Sequence, residues 1–239
     1  MSWIYTAGGY RLFCNRDEKR TRLPAIAPKT RRLAGVRILA PVDGDHGGTW
    51  LSVNEYGVAI CLLNGACLSM NHEPPNCETP AQMQPRNSRG CIPLMLANSR
   101  SSQQACERLS GFALASFPAF TVLMAEPGLP VAIAEWNGTE LAILPYGEPF
   151  LPLVSSSFEA ASVRAWRQQE FRRFARPEDF HRSHNGGASA FSPCMHREDA
   201  ETVSHSEVSV TANQVTFLYS AGLPCRSAPP EKLCLTLIP

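Results

Sequence analysis

The sequence predicts an α+β fold built on antiparallel sheets. Two turn signals carry this prediction: a four-residue turn ending at Gly57 separates two apolar strand candidates, and Asn137-Gly138 separates two more. Glycine provides the positive φ that such turns need, and Asn-Gly is the strongest short hairpin signal. Strand candidates gather toward both ends of the chain with helices between them. Hairpins of this kind, in place of β-α-β units, indicate antiparallel pairing.

The elements follow from alternation, turn residues and helix caps. The predicted strands lie at 3–6, 10–15, 36–39, 50–53, 58–63, 119–124, 131–136, 140–144, 206–211, 215–219 and 233–238. The predicted helices lie at 91–97, at 102–111 with a serine N-cap, and from about 157 to 174. The rest of 19–46, together with 65–87 and 176–192, is predicted as loop.

Composition excludes several classes of function. With 239 residues, the chain is long enough for one large domain or two small ones. A net charge of +1 gives no basic excess for nucleic acid, and no apolar run is long enough to span a membrane. The N-terminus lacks the pattern of a cleaved signal, so we expect a cytoplasmic protein. Nine cysteines without a Cys-x-x-Cys pair are then expected as reduced thiols.

Two motifs carry a family resemblance. The tetrad Asn15-Arg16-Asp17-Glu18 follows an apolar run, and Gly47-Gly48-Thr49-Trp50 opens the next hairpin-like segment. Together they resemble the NRDE family, which is named for the tetrad and includes the transport and Golgi organisation proteins. The resemblance is strongest at 10–65 and 194–225, and it implies one domain over 1–239.

The NRDE family is similar in turn to the N-terminal-nucleophile (Ntn) hydrolases. This implies an αββα sandwich of two antiparallel sheets between helix layers, with which the hairpin pattern is compatible without selecting it. In Ntn hydrolases the first residue after Met removal is the nucleophile and its α-amine is the base. Ser2 holds that position here, where the family usually has Cys. Two alternatives stay open: Ser2 is an ordinary strand start, or Ser2-Trp3 aligns with a pair that follows a Met-Cys start in bacterial members, which leaves the nucleophile absent.

The resemblance implies four further site residues. Arg16 would lower the pKa of the nucleophile and bind a carboxylate or oxyanion, Asp17 would orient the α-ammonium, and Asn64 would donate to the oxyanion. Arg197 would supply a second positive charge. Each also has a structural explanation: Arg16 and Asp17 could belong to a salt-bridge cluster at a strand end, Asn64 could close the strand with a turn, and Arg197 could pair with a neighbouring acid.

Other candidates have weaker support. Cys14 could replace the nucleophile, but a buried structural thiol is favoured. Four histidines between His181 and His205 form a metal-like group with Cys194. A helix that would pair His181 with His184 is broken by the glycines that follow, and no second close pair has zinc spacing. We therefore predict no metal and no cofactor.

The sequence analysis thus gives two functions from different classes. The first is an Ntn-type hydrolase that acts on a non-peptide C–N (amide) bond of a small molecule. The second is a non-catalytic protein on the same fold that binds a lipid, an acyl-CoA or a haem-like ligand. Neither requires nucleic acid as a partner, and a scaffold function has no positive support in the sequence.

Overall fold

The computed structural model describes residues 1–65, 67, 87–144, 151–184, 187, 189–226 and 229–238. Within these residues, two antiparallel sheets stack face to face, and helices cover the outer face of each. This is the αββα sandwich that the family resemblance implies. Most of the loop predicted at 65–87 lies outside the described residues. None of the described helices has the length and apolar character needed to cross a membrane.

The five-stranded sheet joins the two ends of the chain. Its strands, in spatial order, are β1 (Ser2–Thr6), β2 (Gly9–Lys19), β10 (Ala200–Val210), β11 (Gln214–Ala221) and β12 (Glu231–Thr236). β2 is the central element, because it pairs with β1 on one side and with β10 on the other. The predicted N-terminal hairpin is confirmed, and the second of its strands runs four residues longer than its turn and alternation indicate.

The seven-stranded sheet is a meander in which every strand pairs with its neighbours in sequence. Its strands are β3 (Ile26–Leu33), β4 (Val36–Val42), β5 (Leu51–Asn54), β6 (Ala59–Asn64), β7 (Phe120–Ala125), β8 (Ala132–Trp136) and β9 (Leu141–Leu144). The two hairpins with the strongest turn signals, β5–β6 and β8–β9, form as predicted.

Apolar side chains from both sheets form the main core. Trp3 and Leu12 of the five-stranded sheet pack with Leu51 and Leu123 of the seven-stranded sheet, and all four are buried. On the outer face of the seven-stranded sheet lie α1 (Cys91–Leu96) and α2 (Ser102–Ser110). The side chain of Ser101 caps α2 by accepting a hydrogen bond from the Gln104 backbone N–H, as the sequence predicts.

The outer face of the five-stranded sheet is covered by α3 (Ala160–Phe171) and α4 (Pro177–Arg182). The predicted loop over 176–192 is wrong at α4, which opens with Pro177 in its first turn, acids at its start and basic residues at its end. The predicted loop over the rest of 19–46 is wrong at β3. The predicted strand at 36–39 is confirmed as part of β4, which continues to Val42. The basic residues of the exposed edge strand β3 make it hard to recognise as a strand from the sequence, whereas most side chains of its partner β4 are buried.

Gly9 allows β2 to approach β10 closely. A Cβ at Gly9 would lie 1.9 Å from the Val210 carbonyl oxygen, so Gly9→Ala has to displace backbone. We expect this variant to lose about 3 kcal/mol of unfolding free energy, the upper end for overpacking a core. The matched control is Gly111→Ala, where the nearest atom lies 3.5 Å from the new Cβ and the change should stay within about 0.5 kcal/mol. Urea denaturation of both variants measures the difference, and equal midpoints would contradict the proposed close approach.

Candidate functional site

A cavity opens where β1 begins. Ser2 is the first residue of β1 and lies opposite Phe13 of β2. The part of β2 that follows Phe13 therefore pairs with β10 on one edge and has no β1 partner on the other. A cavity of about 500 Å³ lies beside this edge. Its charged and polar lining includes Met1, Arg16, Asp17, Asn64, Arg89 and Arg167. Trp50, Leu63 and Phe180 contribute apolar surface, so the cavity suits a ligand with both polar and apolar parts.

Arg16 is a buried cation that is fixed on several sides. Its guanidinium donates to Asp43 at 2.5 Å and to Glu18 at 3.2 Å, and it lies over the Trp50 ring with 4.5 Å from Cζ to the ring centroid. Arg22 binds the same Asp43 carboxylate at 2.6 Å. The salt-bridge alternative for Arg16 is therefore present, and the same guanidinium also lines the cavity.

Asp17 links β2 to the helix layer. Its carboxylate accepts a hydrogen bond from Thr202 Oγ1 at 2.5 Å and lies 3.8 Å from the Arg167 guanidinium. Arg167, on α3, donates to the backbone carbonyls of Ala190 and Ser192. Burial lowers the pKa of Arg167, and the nearby Asp17 opposes this effect. The cavity thus contains a carboxylate and a second fixed guanidinium beside it.

Asn64 and Arg89 also line the cavity. Asn64 ends β6 and is exposed, and Arg89 donates to the Ala119 carbonyl at 2.9 Å from the segment before α1. Among the described residues, no carboxylate lies within ion-pair distance of Arg89. Burial lowers the pKa of Arg89, which is the effect expected for a cation without a neighbouring acid.

The chain's α-amine belongs to Met1, which lines the cavity. The Met1 amine donates to the Leu153 carbonyl at 2.8 Å, and the Met1 carbonyl accepts from the Leu153 N–H at 2.9 Å. Burial lowers the pKa of this amine, Cys14 and Cys61 act in the opposite direction, and Arg167 lowers it further. An amine with a lowered pKa is unprotonated over more of the neutral pH range and can accept a proton there.

Ser2 does not share this cavity lining. Side chains alternate between the two faces of a strand, so Ser2 projects to the same side as Phe13, toward α4. Its Oγ is fully buried and lies 2.9 Å from His181 Nε2, while the His181 ring stacks on Phe13. Met1, which directly precedes β1, lines the cavity together with Cys14. A catalytic role for Ser2 stays a prediction, which this geometry does not favour.

Arg197 lies beside an adjoining pocket. That pocket shares Asp17 and Asn64 with the cavity. The Arg197 guanidinium forms two contacts of 2.9 Å with Asp199 and lies over the Phe158 ring. The acid pairing that the sequence analysis left open is therefore present. Of the five predicted site residues, Arg16, Asp17 and Asn64 line the cavity, Arg197 lines only its neighbour, and Ser2 lines neither.

Comparison with known proteins identifies the family of the chain. The family model of "Transport and Golgi organisation 2" matches residues 7–144, more than half of the chain. The chain belongs to this family. The resemblance to the NRDE family that the tetrad indicated is thereby confirmed. None of the curated proteins matches this family member in sequence.

Solved structures establish the fold of this family member. Two variants of the conjugated bile acid hydrolase from Clostridium perfringens are similar to it, each at 12% sequence identity. One has a TM-score of 0.53 and is matched over 97% of this chain and 91% of its own. The other has a TM-score of 0.54, with 98% and 95% covered. The Ntn-hydrolase fold is therefore that of the chain.

Sequence reasoning missed three residues that organise the site. Asp43 fixes Arg16 and Arg22 together, Arg167 lies beside Asp17, and His181 covers Ser2. Asp43 comes directly after an apolar stretch and shortly before the Gly-Gly-Thr-Trp turn, so a strand-end carboxylate could have been noticed there. Arg167 and His181 come from distant helices. The sequence analysis considered His181 only as part of the metal-like group, and no local pattern marks its contact with Ser2.

Buried histidines give the fold a pH dependence. Burial lowers the pKa of His205 to about 4, and the nearby Arg182 and the α-amine act in the same direction while Glu178 opposes them. The unfolded chain binds a proton at about pH 6.5, where folded His205 remains neutral, so stability falls as the pH drops below that value. We expect this histidine to account for a loss of about 2 kcal/mol between pH 7 and 5.

Urea unfolding across this pH range measures the effect. His205→Gln keeps a polar group beside Asn15 Oδ1, which lies 2.8 Å from His205 Nδ1, and removes the titration. Its stability should therefore fall less steeply with pH than that of the wild type. The exposed His46 provides the control His46→Gln, which should retain the wild-type slope. Equal slopes in all three proteins would show that His205 is not the source.

Proposed function

We propose that this chain carries the site of an Ntn-type hydrolase that cleaves a non-peptide C–N (amide) bond. The observation that carries the proposal is that the first strand brings its N-terminal end to the same cavity as Arg16, Asp17 and Asn64. An α-amine at that end would provide a base beside a fixed cation, a carboxylate and an amide donor. The fold shared with a conjugated bile acid hydrolase is consistent with this chemistry and does not by itself establish it.

In the proposed reaction, a thiol or hydroxyl on the N-terminal residue adds to the amide carbon of the substrate. Its proton passes to the α-amine, and Asn64 donates to the oxyanion that forms. The C–N bond then breaks, and the α-ammonium returns the proton to the leaving amine. Water attacks the acyl-enzyme and releases the acid. Removing one oxyanion donor of this kind costs about 3 kcal/mol of transition-state stabilisation, so Asn64 carries a measurable part of the rate.

The strand register determines where the nucleophile has to be. Ser2 lies opposite Phe13. Continuing the same register would place Met1 opposite Cys14 and a residue three positions before Ser2 opposite Arg16. It would be about 10 Å from Ser2 along the strand. It would also project to the cavity side, because positions two apart share a face. A cysteine there would have the Arg16 guanidinium as a neighbouring cation, which favours the thiolate.

The proposal can be tested by moving a cysteine along β1. In the first protein, Met-Cys-Thr-Thr replaces Met1 and puts the cysteine opposite Arg16. In the second, Met-Cys-Thr replaces Met1, so the cysteine is one residue nearer to Ser2 and its side chain projects toward α4. A third protein carries Ser2→Cys with Met1 removed. We expect the first to hydrolyse a fatty-acyl anilide and to form an acyl-enzyme on its N-terminal peptide, at least tenfold faster than the other two.

Intact mass has to show that the initiating methionine is absent in all three proteins. Equal rates in the first two proteins would contradict the register argument. No turnover and no acyl-enzyme in any of them would contradict the hydrolase itself. Faster turnover by Ser2→Cys than by the first protein would instead support Ser2 as the natural nucleophile position.

A second candidate function is binding without catalysis, which the burial of Ser2 favours. With Met1 at the cavity side of β1, the chain presents a thioether there and not a nucleophile. The cavity still offers apolar walls and Arg89, a cation without an acidic partner among the described residues. We propose that the ligand in this case has an apolar body and an anionic group, as a fatty acid or an acyl-CoA has.

Fluorescence titration with a dansyl-tagged fatty acid and its methyl ester tests this second function. Loss of a hydrogen bond to a charged group costs about 1.5–3 kcal/mol, so Arg89→Gln should weaken binding of the acid by about tenfold or more. The methyl ester should bind equally to both proteins. Arg173→Gln, at a mostly exposed position just after α3, is the control. Unchanged acid binding by Arg89→Gln would rule out Arg89 as the anion site.

The unpaired cysteines of the described residues are consistent with a reducing compartment for either function. The eight cysteines in the described part of the chain are free thiols, several of them buried. Free thiols in this number are typical of cytosolic proteins, and we propose that this protein works in the cytoplasm.

A further inference from the structure

A cluster of four potential metal ligands lies outside the cavity. It consists of His184, Cys194, His196 and Cys225, and the ligand atoms all lie within 4.8 Å of one another. His184 follows α4, Cys194 and His196 precede β10, and Cys225 follows β11. The sequence analysis predicted no metal site because these residues lack zinc spacing along the chain. The fold brings Cys225 to the others from almost thirty residues beyond His196.

The distances within the cluster fit one small tetrahedral ion. Cys194 Sγ and Cys225 Sγ each lie 3.4 Å from His196 Nε2. In a tetrahedral zinc site with Zn–S of about 2.3 Å and Zn–N of about 2.0–2.1 Å, sulfur and nitrogen are about 3.6 Å apart. The His184 and His196 rings meet with centroids 4.8 Å apart and an interplanar angle of 59°, so they converge on the same space without stacking.

A hydrogen bond sets the orientation of His184. Its Nδ1 lies 2.9 Å from the backbone carbonyl oxygen of Cys194. A carbonyl can only accept, so Nδ1 carries the hydrogen and the lone pair of a neutral ring is on Nε2. Histidines that bind metals commonly donate their other N–H to a carbonyl or carboxylate in this way, which fixes both the tautomer and the ring orientation. His184 therefore has the arrangement of a metal ligand before any metal is considered.

We propose that His184, Cys194, His196 and Cys225 bind one structural zinc ion. Two sulfurs and two imidazoles are the donor set of tetrahedral zinc, and they disfavour calcium and magnesium, which require oxygen ligands. Four protein ligands fill the coordination sphere, and a closed site of this kind serves stability and not catalysis. The exposed His184 ring gives the ion a way in from solvent.

The proposed zinc would join the segments after α4, before β10 and after β11, and α4 contributes to the cavity wall. The Cys194 N–H already donates to the Ser183 carbonyl at 3.0 Å, and His196 pairs with Glu201 at the start of β10. A metal would add bonds from this segment to the end of α4 and to the turn after β11. Because α4 carries His181 into the cavity lining, the ion would hold α4 against the five-stranded sheet.

Metal content and cobalt spectra of the full chain test the proposal. Protein from zinc-supplemented culture should contain about one zinc per chain by mass spectrometry of the metal. Replacement by Co²⁺ should give the visible bands of a tetrahedral ion together with thiolate-to-cobalt absorption in the near ultraviolet. Cys225→Ser and His184→Ala should each lower zinc affinity at least tenfold and weaken these bands. Cys234→Ser, which removes an exposed thiol on β12, is the matched control and should bind like the wild type.

Circular dichroism shows whether each variant is folded, so that the loss of a zinc ligand can be distinguished from unfolding. A wild type that is folded, contains less than about a tenth of a zinc per chain and gives no cobalt spectrum would overturn the proposal. A disulfide between Cys194 and Cys225 in protein purified without reductant, with no zinc uptake after reduction, would overturn it equally. A folded Cys225→Ser with full zinc content would remove Cys225 from the ligand set and with it the proposed four-ligand site.

Discussion

The antiparallel register of β2 decides which side chains of this molecule share a space. β2 has Ser2 opposite Phe13 on one side and Ser204 opposite Arg16 on the other. Cys14 and Arg16 then project between the sheets, where Cys14 Sγ lies 3.8 Å from Cys61 Sγ. Phe13 and Asn15 project toward the helix layer. A slip of one residue would exchange the two sets, so the cavity and the helix contacts depend on the same pairing.

The charges beside the cavity are arranged around Asp43. Burial alone would raise the pKa of this carboxyl, but the His46 and Asp45 N–H groups and the guanidinium groups of Arg16 and Arg22 together hold it below its ordinary value. A fixed carboxylate between two arginines keeps both guanidinium groups in place. Buried ion pairs contribute little net stability, and breaking one by removing a single partner is costly. The main effect of Asp43 is therefore to hold the Arg16 guanidinium at the cavity, over the Trp50 ring.

The parts of the fold that the sequence predicted well have local causes. The turn at Asn54–Gly57 and the Asn137-Gly138 pair set their hairpins through the backbone angles of a few residues. β3 escaped prediction because its arginines suit an exposed edge, and α4 because its six residues show little periodicity. The site divides in the same way. The tetrad locates Arg16 and Asp17. Tertiary packing alone brings Arg167 to Asp17 and brings Cys194 together with its three neighbouring metal-ligand candidates.

The position of the α-amine links the two functions argued for the cavity. A base has to be unprotonated, and burial beside Leu153 lowers the pKa of this amine in the required direction. In the same structure Met1 lines the cavity and the Ser2 hydroxyl faces His181. Hydrolysis and binding would therefore use the same cavity walls, with Arg16 and Asn64 serving hydrolysis and Arg89 serving binding. They also differ in the residue that faces the cavity from the first strand. Because side chains alternate along that strand, this residue is determined by how many residues precede Ser2 in the active form.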